Sequence, residues 1–401
     1  MKNNIPKKEI SVVIGLLFMA TILSNPIQGT MIPIMSPTPE SKNTNQVKEN
    51  NNNDNPGSHR SECEESHTMK RSLKIPGLII GGLMLTTITG GIALVAPTGG
   101  DLSVPATVVD DPSLLNMTIN DVNLHLETYG DADQPVIIVL HGGPGADYRS
   151  LLGLQDLADQ YHVVFYDQRG AGLSERLPAD KLTVQDYLEE LDAIVDHFGQ
   201  GKPVYIIGHS WGAALASGYL GYAPEKVEKA VLAEPGYLNM KEMQNWEENE
   251  SHYTKTLRYF IVSFITGFKA HQIEGPDDYA RNDWIYSQMI NYFLNLPNNP
   301  YHCPGESYDA PHWRIGSIAS DAIREESPEE INRLEKGAEV FQKPVLFLAG
   351  ECDTWIGADL QAKHASLYID ATLQVIPDAG HDMFWDNPQG TLDVIRDFFL
   401  E

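Results

Sequence analysis

The chain has 401 residues, with 28 basic and 55 acidic side chains and a formal net charge of −27. Because so acidic a surface repels phosphates, nucleic acid is excluded as a favourable partner. The length would hold two average domains or one large α/β domain with insertions.

The first quarter of the chain is predicted to lie outside the globular core. Residues 10–23 form an apolar run behind three lysines, which is typical of a signal-peptide core rather than of a full membrane span. The rest of residues 1–68 is rich in Asn, Ser, Glu and Pro, which predicts a disordered linker.

Residues 69–100 are predicted to be a membrane anchor or signal segment. Residues 75–96 carry no charge, and no Lys or Arg follows them until Arg149. The positive-inside rule therefore predicts an anchored protein whose globular domain, beyond residue 100, lies outside the cytoplasm. Two alternatives stay open: cleavage of this segment with secretion of the domain, and a chain that effectively starts at Met69 instead of Met1.

Beyond residue 115, short apolar runs alternate with helical ones, which predicts a mostly parallel sheet with helices on both faces. Strands are predicted at residues 124–129, 136–140, 162–166, 204–207, 230–233, 345–349 and 373–376, and helices at 184–198, 213–222 and 391–400. The α/β core is thus predicted at residues 101–235 and 344–401. The segment between them, residues 236–343, is predicted to be an inserted helical cap over the substrate, or else a purely structural insertion.

The segment Gly-His-Ser-Trp-Gly, residues 208–212, follows a buried strand and is predicted to be a nucleophile elbow. A serine hydroxyl needs a base and a third group that orients the base. Asp353 and His381 each follow a predicted strand, so Ser210, Asp353 and His381 occur in the order that is typical of an α/β-hydrolase triad. Asp378 and Asp382, which flank His381, could also be mistaken for the triad acid. Of these two, Asp378 is the alternative to Asp353.

Two backbone N–H groups are predicted to stabilise the oxyanion of an acyl-transfer reaction. One belongs to Trp211, directly after the nucleophile, and the other to Gly143 in the glycine loop that follows the strand at 136–140. His141 and His209, which neighbour these two segments, are predicted to have structural roles rather than to act as the base.

No metal and no cofactor are predicted. The chain shows no cluster of His, Cys and carboxylates with metal-ligand spacing, and the glycine loop lacks the lysine of a phosphate-binding loop. Its three cysteines, Cys63, Cys303 and Cys352, make no disulfide framework, although Cys303 and Cys352 could pair.

Five motifs occur in sequence: HGGPG at 141–145, DQRGAGLS at 167–174, GHSWGA at 208–213, GECD at 350–353 and AGHD at 379–382. Together they resemble the prolyl aminopeptidase (proline iminopeptidase) branch of the α/β-hydrolase superfamily, over residues 115–401 apart from much of the cap. The resemblance implies a capped α/β-hydrolase fold with an eight-stranded sheet. It also implies an enzyme that releases N-terminal residues, often proline, from peptides through an acyl-enzyme on Ser210.

An aminopeptidase must recognise a free α-ammonium group, and the resemblance implies carboxylates near the cap for this role. Glu234 is the predicted amine-binding residue, with Glu247, Glu248 and Glu250 as alternatives, and a solvated acidic surface is the competing interpretation of all four. The same triad also suits an esterase, lactonase or amidase for small acyl substrates. A membrane-tethered binding protein on a retired hydrolase scaffold is a third alternative.

Overall fold

The chain divides into two units, residues 1–72 and residues 73–401. The computed structural model describes residues 102–400. The predicted signal-like run, the polar linker and the predicted anchor at residues 69–100 all lie outside the described residues.

The described chain contains no helix that is long and apolar enough to cross a membrane. Its longest helix has 16 residues, whereas a bilayer needs roughly 20 apolar ones. This finding contradicts the prediction of a membrane-anchored, extracytoplasmic domain as far as residues 102–400 are concerned.

Eight strands form one sheet in the order β1-β2-β4-β3-β5-β6-β7-β8. From β3 onward neighbouring strands are parallel, while β1 and β2 join the edge in antiparallel orientation. The predicted mostly parallel eight-stranded sheet is confirmed. The strands are β1 (Asn116–Ile119), β2 (Val122–Tyr129), β3 (Val136–Leu140), β4 (His162–Tyr166), β5 (Val204–His209), β6 (Val227–Ala233), β7 (Val345–Gly350) and β8 (Ala371–Ile376).

Both faces of the sheet are covered, which explains why its central strands are continuous apolar runs. All five residues of β3 are buried, and successive side chains point to opposite faces. Ile138 and Leu140 join the core cluster on one face, and Ile137 and Val139 join the cluster on the other. The first face packs against helices α1 (Val184–Gly199) and α2 (Trp211–Tyr222), and the second against the 3₁₀ helix Tyr148–Asp159 and the C-terminal helix Pro388–Leu400.

The segment between β6 and β7, residues 236–343, is mainly helical, and we call it the cap segment. Its helices are α3 (Met240–Thr254), α4 (Leu257–Lys269), α5 (Ala280–Leu294), α6 (Ser317–Arg324), α7 (Pro328–Ile331) and α8 (Lys336–Val340). Three more helices follow in the second part of the core: α9 (Ala358–Ala365), α10 (Met383–Asp386) and α11 (Pro388–Leu400).

Two buried arginines bond Asp283 of α5, and one of them, Arg176, fastens the cap segment to the core. Arg176, from the core, and Arg314 both bond Asp283 Oδ2, at 3.0 and 2.8 Å. The other oxygen, Oδ1, accepts from the Ser317 backbone N–H and hydroxyl at 2.9 Å. Because both oxygens of this carboxylate are hydrogen-bonded, its charge is buried without being left unpaired.

A disulfide bond joins Cys303, in the cap segment, to Cys352, which directly precedes Asp353. The sequence left this pairing open, and the structure forms it. The bond ties a loop of the cap segment to the loop that follows β7, at the same edge of the sheet where the predicted triad lies.

We expect Asp283→Asn to destabilise the protein by about 3–5 kcal/mol, because it leaves two buried guanidinium groups without their shared carboxylate. Urea unfolding monitored by fluorescence measures this change. The control is Glu339→Gln, which breaks an exposed ion pair with Lys336 and should cost less than about 1 kcal/mol. Equal stability of the two variants would contradict the role assigned to Asp283.

Candidate active site

Four adjacent parallel strands end at one edge of the sheet, and each is followed by a polar residue. Ser210 follows β5, Glu234 follows β6, Asp353 lies after β7, and His381 lies after β8. Since β5, β6, β7 and β8 are neighbours in the sheet, their carboxyl ends meet. The structure therefore brings together the three residues of the predicted triad, and it adds Glu234 to them.

Ser210 occupies a strained turn between β5 and α2. Its backbone has φ 55° and ψ −118°, a conformation that non-glycine residues rarely adopt. Its N–H donates to the Ala233 carbonyl of the neighbouring strand at 2.8 Å, which fixes the turn. The glycines on both sides are needed for space: a Cβ on Gly208 would lie 2.5 Å from the Gly212 carbonyl oxygen, and one on Gly212 would lie 2.3 Å from that of Leu140.

His381 is held on several sides. Its backbone N–H donates to the Tyr301 carbonyl at 2.7 Å, and its ring stacks on the Tyr301 ring with 4.6 Å between centroids. His209 contacts it from the elbow, with its Nε2 2.8 Å from the His381 carbonyl oxygen. Burial lowers the pKa of His381 to about 4, so the imidazole is neutral near neutral pH, as a general base must be.

Two carboxylates face the Nδ1 atom of His381. Glu234 Oε2 lies 2.9 Å from it, and Asp353 Oδ2 lies 3.6 Å from it. Asp353 is anchored by its other oxygen, which accepts the N–H groups of Trp355 and Ile356 at 2.7 and 2.9 Å. Burial, followed by the proximity of Glu234, raises the pKa of Asp353 to about 7.

Glu234 is fully buried and does not reach the space in which a substrate amine would lie. Its Oε1 accepts the Gly350 N–H at 2.7 Å, while Oε2 faces His381. The predicted amine-binding role of Glu234 therefore does not fit its position. The reason is the backbone of Glu234, whose φ of 46° directs the side chain along the sheet edge toward β7 and β8.

The glycine loop after β3 lies against the elbow, as the prediction of an oxyanion hole requires. Gly143 has φ 48°, and no heavy atom lies closer than 3.5 Å to a Cβ built there. Gly142 is tighter, because its Cβ would lie 3.0 Å from that of Ser210. We find no hydrogen bond from the backbone N–H of Gly143 or Trp211 to another described residue, so both remain available to an oxyanion.

Gln168 connects three of the sequence motifs, a role that sequence reasoning missed. Its side chain donates to the His141 carbonyl at 3.0 Å and accepts from the Trp211 indole at 2.9 Å. Its backbone N–H donates to His141 Nε2, also at 3.0 Å. His141 and His209 thus brace the glycine loop and the elbow, in line with the structural roles predicted for them.

A cavity of about 210 Å³ opens onto Ser210, His381 and the glycine loop. Its walls are mainly apolar and aromatic, and most of them come from the cap segment. The cap residues on the wall include Trp246 and Glu250 of α3, Tyr286, Ile290 and Phe293 of α5, and Ser320 and Arg324 of α6. The cap segment thus forms most of the wall of the cavity beside Ser210.

Three carboxylates line this cavity, and only one lacks a partner among the described residues. Asp147 accepts the N–H groups of Arg149, Trp313 and Arg314. Glu250, one of the predicted alternatives, is bonded by both oxygens to Arg324 at 2.7 and 2.8 Å.

Asp382, the third carboxylate, is half-buried at the start of α10, where its side chain forms no capping bond. Burial raises its pKa to about 7, and repulsion by Asp386 acts in the same direction. The sequence suggests Asp382 only as a rival triad acid. In the sequence, only the position of Asp382 directly after His381 indicates that its side chain could lie near the reacting atoms. Glu247 and Glu248 do not line the cavity.

Glu234, Asp353 and His381 also offer three ligand atoms within 4.8 Å of one another, as a metal site would. Two of these side chains already bond each other, through His381 Nδ1 and Glu234 Oε2, and backbone N–H groups hold both carboxylates. We therefore interpret the cluster as a hydrogen-bonded network around the imidazole.

Comparison with known proteins agrees with this geometry. Residues 135–388 match the alpha/beta hydrolase fold family. A proline iminopeptidase of Heyndrickxia coagulans is 37% identical over 161 residues, 40% of this chain and 53% of the relative. One from Thermoplasma volcanium is 44% identical over 166 residues, 40% of this chain and 50% of the relative. The chain thus spans about half the length of these curated relatives.

Among solved structures, a proline iminopeptidase-related protein from Thermus thermophilus is 22% identical, with a TM-score of 0.49. The alignment covers 70% of this chain and 95% of that protein.

We expect Gly212→Ala to slow the reaction of Ser210 with a fluorophosphonate on the order of 100-fold, because the added methyl group displaces the elbow. The labelling rate is followed by gel fluorescence. Gly267→Ala in α4 is the control: nothing lies within 4 Å of its Cβ, so it should leave labelling unchanged and stabilise the helix by about 1 kcal/mol. Equal labelling of both variants would refute the close packing of the elbow.

Proposed function

The chain belongs to the α/β-hydrolase family, and on this premise we propose that it is a serine aminopeptidase that releases N-terminal residues from short peptides. The family resemblance to the prolyl aminopeptidase branch supports proline as the residue released. The observation that carries the proposal is that Ser210, on its strained elbow, and a neutral, carboxylate-backed His381 line the same cavity.

The neutral imidazole of His381 takes the proton of the Ser210 hydroxyl as the oxygen attacks the substrate carbonyl. The carboxylates at Nδ1 hold the ring in the tautomer that leaves Nε2 free to accept this proton, and they stabilise the imidazolium that forms. His381 then gives the proton to the leaving amine. Water attacks the acyl-enzyme in the second half of the reaction, with His381 again acting as base and then as acid.

The oxyanion that develops at the carbonyl would be received by the backbone N–H groups of Trp211 and Gly143. Trp211 is the first residue of α2, so its N–H points out of a helix N-terminus where the helix dipole favours negative charge. Gln168 supports both donors, because it holds the Trp211 indole and the residue at the start of the glycine loop. Each such donor contributes roughly 3–4 kcal/mol of transition-state stabilisation.

The substrate ammonium group requires a negative charge within the cavity, and Asp382 fits this role. Asp147 and Glu250 are saturated by backbone N–H groups and by Arg324, whereas the Asp382 carboxylate has no hydrogen-bond partner among the described residues. Its raised pKa reflects a charge held in a half-buried site without a counter-ion. An ammonium group would supply that counter-ion within reach of Ser210 and His381.

The proposal predicts that a fluorophosphonate labels Ser210 and that Ser210→Ala abolishes labelling. It also predicts rapid turnover of proline and alanine arylamides and a large loss on N-acetylation, because the blocked amine cannot pair with a carboxylate. Steady-state kinetics on matched free and acetylated substrates measure this difference. Equal turnover of blocked and free substrates, with efficient cleavage of simple acyl esters, would instead support the esterase or amidase alternative.

We expect Asp382→Asn to raise KM for free-amine substrates at least about tenfold, as loss of an ion pair of roughly 1.4 kcal/mol would do, and to leave acetylated substrates unaffected. In the wild type, kcat/KM for free-amine substrates should rise as the pH increases through about 7, because the carboxylate is ionised only above its pKa. The asparagine variant should lose this rise.

The matched control for this experiment is Asp378→Asn, which changes an exposed carboxylate in the same loop. Its KM and pH profile should equal those of the wild type. An unchanged KM in Asp382→Asn would remove Asp382 from the proposed amine site, while the labelling of Ser210 would still test the serine mechanism.

A further inference from the structure

The carboxylate nearest to His381 is not the one that the sequence predicts. His381 has one hydrogen to donate at Nδ1, and Glu234 Oε2, at 2.9 Å, is the acceptor within hydrogen-bonding distance. Asp353 Oδ2, at 3.6 Å, is beyond it. Glu234 follows β6, which lies in the sheet between β5, the strand before Ser210, and β7, the strand before Asp353.

Asp353 Oδ2 is a buried oxygen that has no hydrogen-bond partner in the described chain. A buried ionised oxygen left unpaired is costly. The carboxyl groups of Glu234 and Asp353 are close enough to bond each other, and all three groups of the cluster have ligand atoms within 4.8 Å. A proton on Asp353 Oδ2 that is donated to Glu234 would satisfy this oxygen.

We propose that Glu234 is the ionised positioning residue of His381 and that Asp353 is its protonated partner, the two carboxyl groups sharing one proton. This inference rests on the proposed serine mechanism, which supplies the task of His381. The Nδ1–H of His381 donates to Glu234 Oε2, the Gly350 N–H holds Glu234 Oε1, and the Asp353 hydroxyl donates to Glu234.

Electrostatics supports a single charge at this place. Burial raises the pKa of Glu234 well above its usual range and that of Asp353 to about 7, and the proximity of Glu234 raises the pKa of Asp353 further. Burial alone would therefore favour the proton on Glu234. The hydrogen bond from His381 Nδ1 to Glu234 Oε2, which Asp353 lacks, favours the ionised form of Glu234 and is the observation that assigns the charge. Two carboxylates this close cannot both ionise readily, so the pair retains one proton near neutral pH. The other titratable groups that face the cluster, His209, His302, Tyr301, Asp382 and Asp386, offer no buried cation that would permit a second negative charge.

The backbone around Glu234 is built for this contact. Glu234 is one of the few non-glycine residues with positive φ, at 46°, and its N–H donates to the Leu348 carbonyl at 3.1 Å. Such strain persists only where the surroundings determine the conformation, and it is common at functional sites. The turn after β6 thus directs the Glu234 carboxylate toward Nδ1 of the imidazole. A strained turn after β5 presents Ser210 in a similar way.

The two single variants distinguish the assignments. Asp353→Asn retains a donor in the place of the shared proton, because its amide N–H can bond Glu234, so we expect labelling of Ser210 to slow by less than about tenfold. Glu234→Gln places an amide N–H against Nδ1 and favours the wrong tautomer, so we expect a loss on the order of 10³–10⁴-fold. Asp378→Asn is the matched control and should label like the wild type.

The readout is the second-order rate of fluorophosphonate labelling, with thermal unfolding as a check that each variant is folded. A severe loss in Asp353→Asn with near wild-type labelling of Glu234→Gln would overturn the inference, as would equal losses in both. If wild-type Ser210 is not labelled at all, the proposed function fails.

Proton NMR then tests Glu234 independently of the chemistry at Ser210. The downfield signal of an imidazole N–H bonded to a carboxylate should persist in Asp353→Asn and disappear in Glu234→Gln. Its loss in Asp353→Asn and persistence in Glu234→Gln would overturn the inference even where no labelling occurs. A merely structural role of Glu234 would not move this signal in a folded variant.

Discussion

The parallel pairing of β5, β6, β7 and β8 is the constraint on which the site depends. Because these strands run side by side in one direction, the loops at their carboxyl ends meet although they are far apart in the chain. Each loop delivers one polar residue to the edge, and the cap segment and its aromatic side chains cover that edge. The chemistry of the site is therefore the chemistry of four polar groups held together at one edge of the sheet, beside the cavity.

Because the groups at this edge are buried, the hydrogen-bond partners of each one determine whether it can carry a charge. Glu234 and Asp353 are tolerated at this edge because backbone N–H groups from the end of β7 and the loop after it hold one oxygen of each. The same burial keeps His381 neutral and leaves two carboxyl groups to share the space at its Nδ1 atom. Asp382 differs from both because it faces the cavity with no side-chain partner among the described residues, as the proposed amine site requires.

The cap segment does more than cover the cavity. Asp283 ties it to the core through Arg176, the disulfide from Cys303 ties it to the residue before Asp353, and Tyr301 holds both the backbone and the ring of His381. Substrate enclosure and the orientation of the base therefore depend on the same inserted segment. A substitution in the cap segment that moves Tyr301 would therefore shift the His381 ring, although it changes no residue of the triad itself.

The sequence by itself determined the sheet, the elbow and the order of Ser210, Asp353 and His381, because buried strands need continuous apolar runs and a tight turn needs glycine at fixed positions. It could not determine which carboxylate meets the imidazole. That choice depends on the positive φ of Glu234, which brings its oxygen to 2.9 Å from Nδ1 while that of Asp353 stays at 3.6 Å. Tertiary structure alone also decided that Asp382, and not Glu234, faces the cavity, since the direction of a side chain after a strand is set by the loops packed around it.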